Sequence, residues 1–125
     1  MMKLLVVDDE VDVCDFVRKF FRERNFEVRI AHDGQSAVET VRAEDPEIVL
    51  LDLKMPVMGG IEALREIRKL DKKCKVVIVT ALEDVASVEE AKSFGAVDYI
   101  TKPLLLEQLE RTVLTLAERV RTGTC

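Results

Sequence analysis

The amino-acid sequence predicts an α/β fold, built on a five-stranded parallel sheet with helices on both faces. Two observations predict it. Short runs rich in Val, Ile and Leu alternate with longer amphipathic segments, and the order of strand then helix occurs five times along 125 residues. Strands joined through helices run parallel, and such crossovers are right-handed. Because a parallel sheet is buried on both faces, helices must cover both.

The first two strand–helix units are marked by apolar runs and by the residues that interrupt them. The continuous apolar run at 4–7 predicts a strand buried on both faces, which three acidic residues end. Apolar residues at helical spacing predict a helix over 11–24. The alternating segment 26–31 predicts the second strand. After an Asp-Gly turn, a short apolar stripe predicts a helix over 34–44.

The third unit and the fourth strand follow the same pattern. The run at 48–52 predicts a buried strand that ends in an aspartate. Pro56 and a Gly-Gly pair predict a loop over 53–60. Apolar residues spaced three apart predict a helix over 61–70, and the next apolar run predicts a strand over 76–80.

The C-terminal part of the chain completes the fold. Helical spacing predicts a helix over 85–94, with Gly95 at the position of a C-terminal cap. A short strand is predicted at 98–100 and a last helix over 105–122. Apolar residues of this last helix are spaced 3, 4, 3, 4, and we expect its C-terminal end to join a dimer or to lead to an output domain.

The length and composition indicate one globular domain. With 48% hydrophobic and 34% charged residues, a chain of this size buries about two-thirds of its unfolded surface without a disulfide or metal. The 24 acidic and 19 basic side chains give a net charge of −5, which argues against direct nucleic-acid contact by this segment. No apolar run predicts a membrane span or a signal peptide. Three widely spaced cysteines are typical of reduced thiols in a cytoplasmic protein.

Polar side chains follow four of the five predicted strands. In open parallel sheets, ligands bind beyond the carboxyl ends of the strands. The side chains that the first, third, fourth and fifth strands bring to this edge are Asp8 with Asp9, Asp52, Thr80 and Lys102. His32 follows the second strand, and we expect it to be a surface or loop histidine.

The residue types at this edge favour phosphoryl chemistry. Three carboxylates in one place repel one another, and a hard divalent cation such as Mg²⁺ removes the conflict. One of the carboxylates can then act as a nucleophile toward phosphorus and form an aspartyl phosphate. Lys102 supplies a positive charge for phosphoryl oxygens, and Thr80 supplies a hydroxyl donor. Phosphoryl transfer depends mainly on positioning and charge neutralisation, so these groups suffice.

Four stretches of the chain together resemble the receiver domain of bacterial two-component response regulators. They are Leu-Val-Val-Asp-Asp-Glu at 5–10, Leu-Leu-Asp-Leu-Lys-Met-Pro at 50–56, Val-Thr-Ala at 79–81 and Gly-Ala-Val-Asp-Tyr-Ile-Thr-Lys-Pro at 95–103. The resemblance implies a flavodoxin-like fold with strand order 2-1-3-4-5. It also implies a receiver domain over 1–122, followed at 123–125 by a polar tail or the start of a linker.

The resemblance implies a role for each residue at the strand ends. Asp52 becomes the phosphoacceptor. Asp9 and Asp52 ligate Mg²⁺ directly with the backbone carbonyl of Lys54, Asp8 acts mostly through water, and Mn²⁺ can replace Mg²⁺. Two further residues bind the phosphoryl group, namely Thr80 and Lys102.

The resemblance also implies a conformational switch and a set of partners. Tyr99 is the switch aromatic, which swings inward as Thr80 moves toward the phosphate, and the Lys102–Pro103 peptide is cis. A sensor histidine kinase or a phosphotransfer protein supplies the phosphoryl group. The domain catalyses its own phosphorylation and slow dephosphorylation in the cytoplasm. A homodimer would use the fourth helix, fifth strand and fifth helix, and no membrane partner is expected.

Two alternative functions and three departures from the family pattern stay open at this point. The alternatives are a phosphorylation-independent interaction module and a haloacid-dehalogenase-like phosphohydrolase, which needs a second aspartate where Lys54 stands. Gly59 replaces the Asp, Ser or Asn that is frequent in the family, and Leu104 replaces a Phe. Val97 replaces an Asp that one subgroup uses in dimer salt bridges, which weakens the case for that ionic dimer.

Overall fold

The computed structural model describes residues 1–55, 58–70, 73–81 and 85–123, without the side chain of Val85. Within these ranges five strands alternate with five helices. Pro56 of the predicted loop and Cys125 of the predicted tail lie outside the described residues. Every helix in the described ranges is too short or too polar to cross a lipid bilayer.

The strands and helices follow the predicted order with small shifts at their ends. The strands are β1 (Met2–Val7), β2 (Phe26–Ala31), β3 (Ile48–Asp52), β4 (Lys75–Thr80) and β5 (Asp98–Thr101). The helices are α1 (Val11–Arg22), α2 (Gly34–Glu44), α3 (Gly60–Lys69), α4 (Val85–Ser93) and α5 (Leu106–Thr122).

The sheet has the order β2-β1-β3-β4-β5, and all neighbouring strands run parallel. The predicted flavodoxin-like topology is therefore confirmed. In the registers, Val7 pairs with Leu51, Asp52 with Val79, and Thr80 with Thr101. The carboxyl ends of the four strands β1, β3, β4 and β5 thus meet at one edge of the sheet.

Alternate residues of each strand feed two separate cores. In β1, Leu4 and Val6 point into a core shared with α1 and α5, whereas Leu5 and Val7 point into a core shared with α2, α3 and α4. All four side chains are at most 3% exposed. The continuous apolar run at 4–7 is explained by this arrangement, since each face of the strand is buried.

The ends of the helices differ slightly from the predicted ones for local reasons. Helix α1 ends at Arg22 rather than at 24, because Asn25 adopts the left-handed conformation (φ 67°), which asparagine tolerates better than most residues. Gly95 has φ 90° and its N–H donates to the Lys92 carbonyl, which confirms the predicted C-terminal cap. Gly123 similarly caps α5, with φ 76°.

Candidate functional site

Three polar side chains are buried together at the carboxyl edge of the sheet. Asp8 follows β1, Asp52 ends β3 and Thr80 ends β4, and these residues are 3%, 3% and 1% exposed. They are the buried polar or charged side chains of the part of the chain that the structure describes. Burying such groups costs free energy unless they are hydrogen-bonded or paired, so their concentration at one edge marks a candidate site.

Lys102 supplies a positive charge beside both buried carboxylates, those of Asp8 and Asp52. Its Nζ lies 3.2 Å from Oδ2 of Asp52 and 3.3 Å from Oδ2 of Asp8. A third carboxylate, that of Glu10, lies 3.6 Å away. The backbone N–H of Lys102 donates to the Thr80 carbonyl at 2.8 Å, which extends the β4–β5 pairing and fixes where the side chain starts. The peptide from Lys102 to Pro103 is cis.

The backbone after Asp52 is held tightly against helix α3. Oδ1 of Asp52 accepts a hydrogen bond from the Lys54 N–H at 3.1 Å, and the Gly60 N–H donates to the Leu53 carbonyl at 3.0 Å. A Cβ atom on Gly60 would overlap the Asp52 carbonyl oxygen and lie 2.7 Å from Leu53 Cα. Only glycine at position 60 allows α3 to start this close to the end of β3.

Burial and charge repulsion shape the protonation of the site. The pKa of Asp52 is raised, mainly by burial and in part by the nearby charge of Asp8, although the Lys54 N–H and Lys102 oppose the shift. Burial alone would lower the pKa of Lys102, but its pairs with Asp52 and Asp8 outweigh burial and raise it. The site therefore favours an additional positive charge, because one ammonium, that of Lys102, is shared between two buried carboxylates.

Three consecutive acidic residues form a group that can hold a metal ion. Carboxylate oxygens of Asp8, Asp9 and Glu10 lie within 4.8 Å of one another. Asp8 is buried and accepts a hydrogen bond from the Glu10 N–H at 2.9 Å, whereas Asp9 and Glu10 are exposed. An all-oxygen set with open sides suits a hard divalent cation that keeps part of its water shell. Glu10 was not among the predicted site residues, although it is the third acid of the same run.

The structure separates the two residues of the predicted switch. Thr80 is buried, and its hydroxyl donates to the Ala81 carbonyl at 3.2 Å. Tyr99 pairs with Ile78 in the β4–β5 register and is 37% exposed, and its ring centroid lies 5.6 Å from the ammonium of Lys92. The tyrosine ring therefore lies on the outer surface of β5 rather than against the carboxylates.

His32 is exposed, as predicted, but it also makes a contact that the sequence did not predict. Its Nδ1 lies 3.1 Å from the backbone carbonyl oxygen of Asp8, and Sγ of the buried Cys14 lies 3.3 Å from the same oxygen. The second strand therefore also contributes to this edge. Neither the spacing nor the composition of the sequence indicates this contact, because it depends on how the end of β2 meets the end of β1.

Comparison with known proteins agrees with this arrangement. Residues 4–114 match the family described as the response regulator receiver domain. The transcriptional regulatory protein ZraR of Klebsiella oxytoca is 38% identical over 115 residues, which cover 92% of this chain and 25% of that protein. Sporulation initiation phosphotransferase F of Bacillus subtilis (strain 168) is 32% identical over 111 residues, which cover 89% of this chain and 90% of that protein. The chain thus spans about a quarter of the length of ZraR.

Solved structures show the same architecture. The receiver domain of the Francisella response regulator 1452 superimposes with a TM-score of 0.87 at 29% identity, covering 96% of this chain and 99% of that one. The Vibrio cholerae chemotaxis protein CheY4 has a TM-score of 0.85 at 27% identity, covering 93% and 98%. Because the family match spans nearly the whole chain and includes every residue of the site described above, the chain belongs to the response regulator receiver domain family.

Proposed function

We propose that the chain is a phosphoryl-accepting switch, in which Asp52 receives a phosphoryl group from a phosphohistidine of a sensor kinase or phosphotransfer protein. The observation that carries the proposal is the pairing of Lys102 Nζ with both Asp52 and Asp8, at 3.2 and 3.3 Å. The side chain of Asp52, the proposed acceptor, is only 4% exposed. A buried carboxylate beside a single ammonium gains from any ligand that brings positive charge, and the ammonium can also compensate phosphoryl oxygens.

The transfer step uses groups that this edge of the sheet provides. A carboxylate oxygen of Asp52 attacks phosphorus, and the new O–P bond forms as the P–N bond of the phosphohistidine breaks. The bonding pair leaves with the imidazole nitrogen, which takes a proton from solvent. Lys102 compensates the charge on the phosphoryl oxygens. The Thr80 hydroxyl, which donates to the Ala81 carbonyl, can rotate to donate to a phosphoryl oxygen instead.

The donor groups fit Mg²⁺ as the cofactor, with Mn²⁺ as a substitute. Following the family pattern, Asp9, Asp52 and the Lys54 carbonyl would hold the ion directly and Asp8 through water. The grouping of Asp8, Asp9 and Glu10 carboxylates within 4.8 Å supports an oxygen-liganded site at this position. When bound, the ion supplies positive charge that offsets the repulsion among the carboxylates and between them and the incoming phosphoryl group.

The signal would pass from Asp52 to the surface formed by α4, β5 and α5. In this proposal Thr80 moves toward the phosphoryl group and Tyr99 turns inward, so the exposed face changes shape. That face carries the exposed apolar side chains Val97, Tyr99 and Leu106, at 43%, 37% and 41% exposure, and would contact a second copy or an output domain. The domain would work in the cytoplasm, and this segment would not touch nucleic acid or membrane.

Phosphorus NMR tests the proposal. With phosphoramidate, a small P–N donor, and Mg²⁺, we expect an acyl phosphate resonance that disappears when EDTA is added first. Steady release of phosphate from small phosphate esters, without an acyl phosphate, would instead support the phosphohydrolase alternative. No resonance under any metal condition would support an interaction module that works without phosphorylation.

A further inference from the structure

The backbone carbonyl of Asp8 receives two side-chain contacts from different elements. Sγ of Cys14, on α1, lies 3.3 Å from this oxygen, and Nδ1 of His32, just after β2, lies 3.1 Å from it. A carbonyl oxygen has two lone pairs and can accept both hydrogen bonds. The acidic run 8–10 is therefore tied to its neighbours through its backbone as well as through its carboxylates.

The distances assign the proton on the His32 ring. A carbonyl oxygen can only accept, so a bond at 3.1 Å requires a hydrogen on Nδ1, and the neutral ring then carries its lone pair on Nε2. The opposite tautomer would place two lone pairs against each other at this distance. Among the described residues, it would leave Nδ1 only the Cys14 thiol as a donor, at 3.8 Å, while that thiol lies closer to the Asp8 oxygen.

The contact fixes the peptide group that leads into Asp9. The Asp8 carbonyl belongs to the peptide that joins Asp8 to Asp9, and the Asp8 N–H donates to the Ala31 carbonyl at 3.1 Å. Ala31, the last residue of β2, thus binds the N–H of Asp8, and the next residue, His32, binds its carbonyl oxygen. Within the described ranges the exposed Asp9 carboxylate has no ion pair or hydrogen bond, so the position from which its side chain starts is set by this backbone.

We propose that His32 is a positioning residue for the divalent-cation site, because its Nδ1–H orients the Asp8–Asp9 peptide and with it the two carboxylates. The inference rests on the proposed function in that it takes the acidic run to be the cation site. Partners that orient metal ligands contribute about tenfold or more to affinity. Since His32 acts through the backbone and not on a ligand atom directly, we expect a smaller effect, about threefold to tenfold.

The first experiment detects the tautomer without any metal. Ring ¹⁵N spectra of the wild-type protein in EDTA are recorded about two pH units above the ordinary imidazole pKa of about 6.5. We expect the protonated-nitrogen signal on Nδ1 and the lone-pair signal on Nε2. The reverse assignment, or the average of a freely exchanging ring, would overturn the inference whether or not the protein binds a cation.

The second experiment compares two variants of nearly equal shape. His32→Asn keeps an N–H donor at the position of Nδ1, whereas His32→Leu has no donor there. Mg²⁺ alone is titrated into each protein and followed through the backbone amide signals of residues 8–10. We expect a dissociation constant within twofold of wild type for His32→Asn, and about threefold to tenfold higher for His32→Leu.

The outcomes separate this inference from the proposed function. Wild-type protein that binds Mg²⁺, together with equal affinities for both variants, would overturn the role of His32 alone. Wild-type protein that does not bind Mg²⁺ would overturn the proposed function as well. If His32→Leu does not fold, the ring spectra of the wild-type protein still decide the inference.

Discussion

Nζ of Lys102 lies 3.2 Å from Oδ2 of Asp52, so the residue that follows the fifth strand is ion-paired with the residue that ends the third. The two residues are 50 positions apart in the chain. Their contact depends on the order of the strands, since β4 lies between β3 and β5 and brings both ends to the same edge. The pairing therefore connects the topology of the sheet directly to the chemistry of the site.

Removing the ammonium of Lys102 should slow phosphorylation strongly. We expect Lys102→Gln to lower the rate with phosphoramidate and Mg²⁺ by about 10²-fold, because one preorganised charged donor to the phosphoryl oxygens is lost. The rate is measured by intact mass over time. Lys69→Gln removes an exposed lysine whose partner is Glu66 on the same helix, and it should leave the rate unchanged. Equal rates for both variants would exclude the role assigned to Lys102.

Replacing Asp52 by its neutral isostere should stabilise the metal-free protein. Burial, with the charge of Asp8, raises the pKa of Asp52 in the folded state. Below the ordinary carboxyl pKa of about 3.9 the side chain is protonated in both folded and unfolded states. As the pH rises through the raised pKa, the ionised side chain lowers the free energy of unfolding of the wild-type protein relative to Asp52→Asn.

The measurement for Asp52→Asn is urea unfolding in EDTA at several pH values. We expect the variant to be more stable than the wild type at neutral pH, and the difference to shrink toward acid pH. Added Mg²⁺ should reduce the difference, because it stabilises the ionised wild-type site. If the wild-type protein instead became more stable relative to Asp52→Asn as the pH rises, the direction assigned to the pKa shift of Asp52 would be wrong.

Two adjacent glycines should respond differently to the same substitution. A Cβ on Gly60 would overlap the backbone of Asp52 and Leu53, so we expect Gly60→Ala to cost about 2 kcal/mol of unfolding free energy. Gly59 has φ −74°, and among the described residues a Cβ there would meet only the Leu53 carbonyl oxygen, at 3.4 Å. Gly59→Ala is therefore the matched control and should change stability by less than about 0.5 kcal/mol. Thermal or urea unfolding of both variants measures the difference in their stability. Similar losses of unfolding free energy in Gly60→Ala and Gly59→Ala would contradict the prediction.

Cys14 and Cys74 should not react with thiol reagents in the folded protein. Burial, followed by the charge of Asp8, raises the pKa of Cys14 to about 11, and burial also raises the pKa of Cys74. Both thiols are buried and stay protonated at neutral pH. In a Cys125→Ser background we expect no labelling by a disulfide reagent until urea is added. Rapid labelling of the native protein would contradict the burial of these thiols.

The fold and most of the site could be predicted because local sequence carries the information. The apolar run at 4–7 is continuous because both faces of β1 are buried, and Gly95 caps α4 because its φ is positive. The ends of the strands then determine which polar residues meet. Asp8, Asp52 and Lys102 were predicted at one edge on this basis, and they are ion-paired there.

The contacts of His32 and Glu10 could not be predicted because they arise from tertiary geometry. The bond from His32 to the Asp8 carbonyl depends on the register of β1 with β2, in which Val7 pairs with Ala31. The approach of Glu10 to Lys102, at 3.6 Å, depends on how the start of α1 faces the end of β5. The roles of Thr80 and Tyr99 as a switch stay predictions.

Intact-mass spectrometry of the wild-type protein and Asp52→Ala tests the central claim most directly. After incubation with phosphoramidate and Mg²⁺, we expect the wild-type mass to increase by one phosphoryl group and the Asp52→Ala mass to stay unchanged. Omitting Mg²⁺ should prevent the increase in the wild-type protein. An unchanged wild-type mass, or the same increase in Asp52→Ala, would contradict the assignment of Asp52 as the phosphoacceptor.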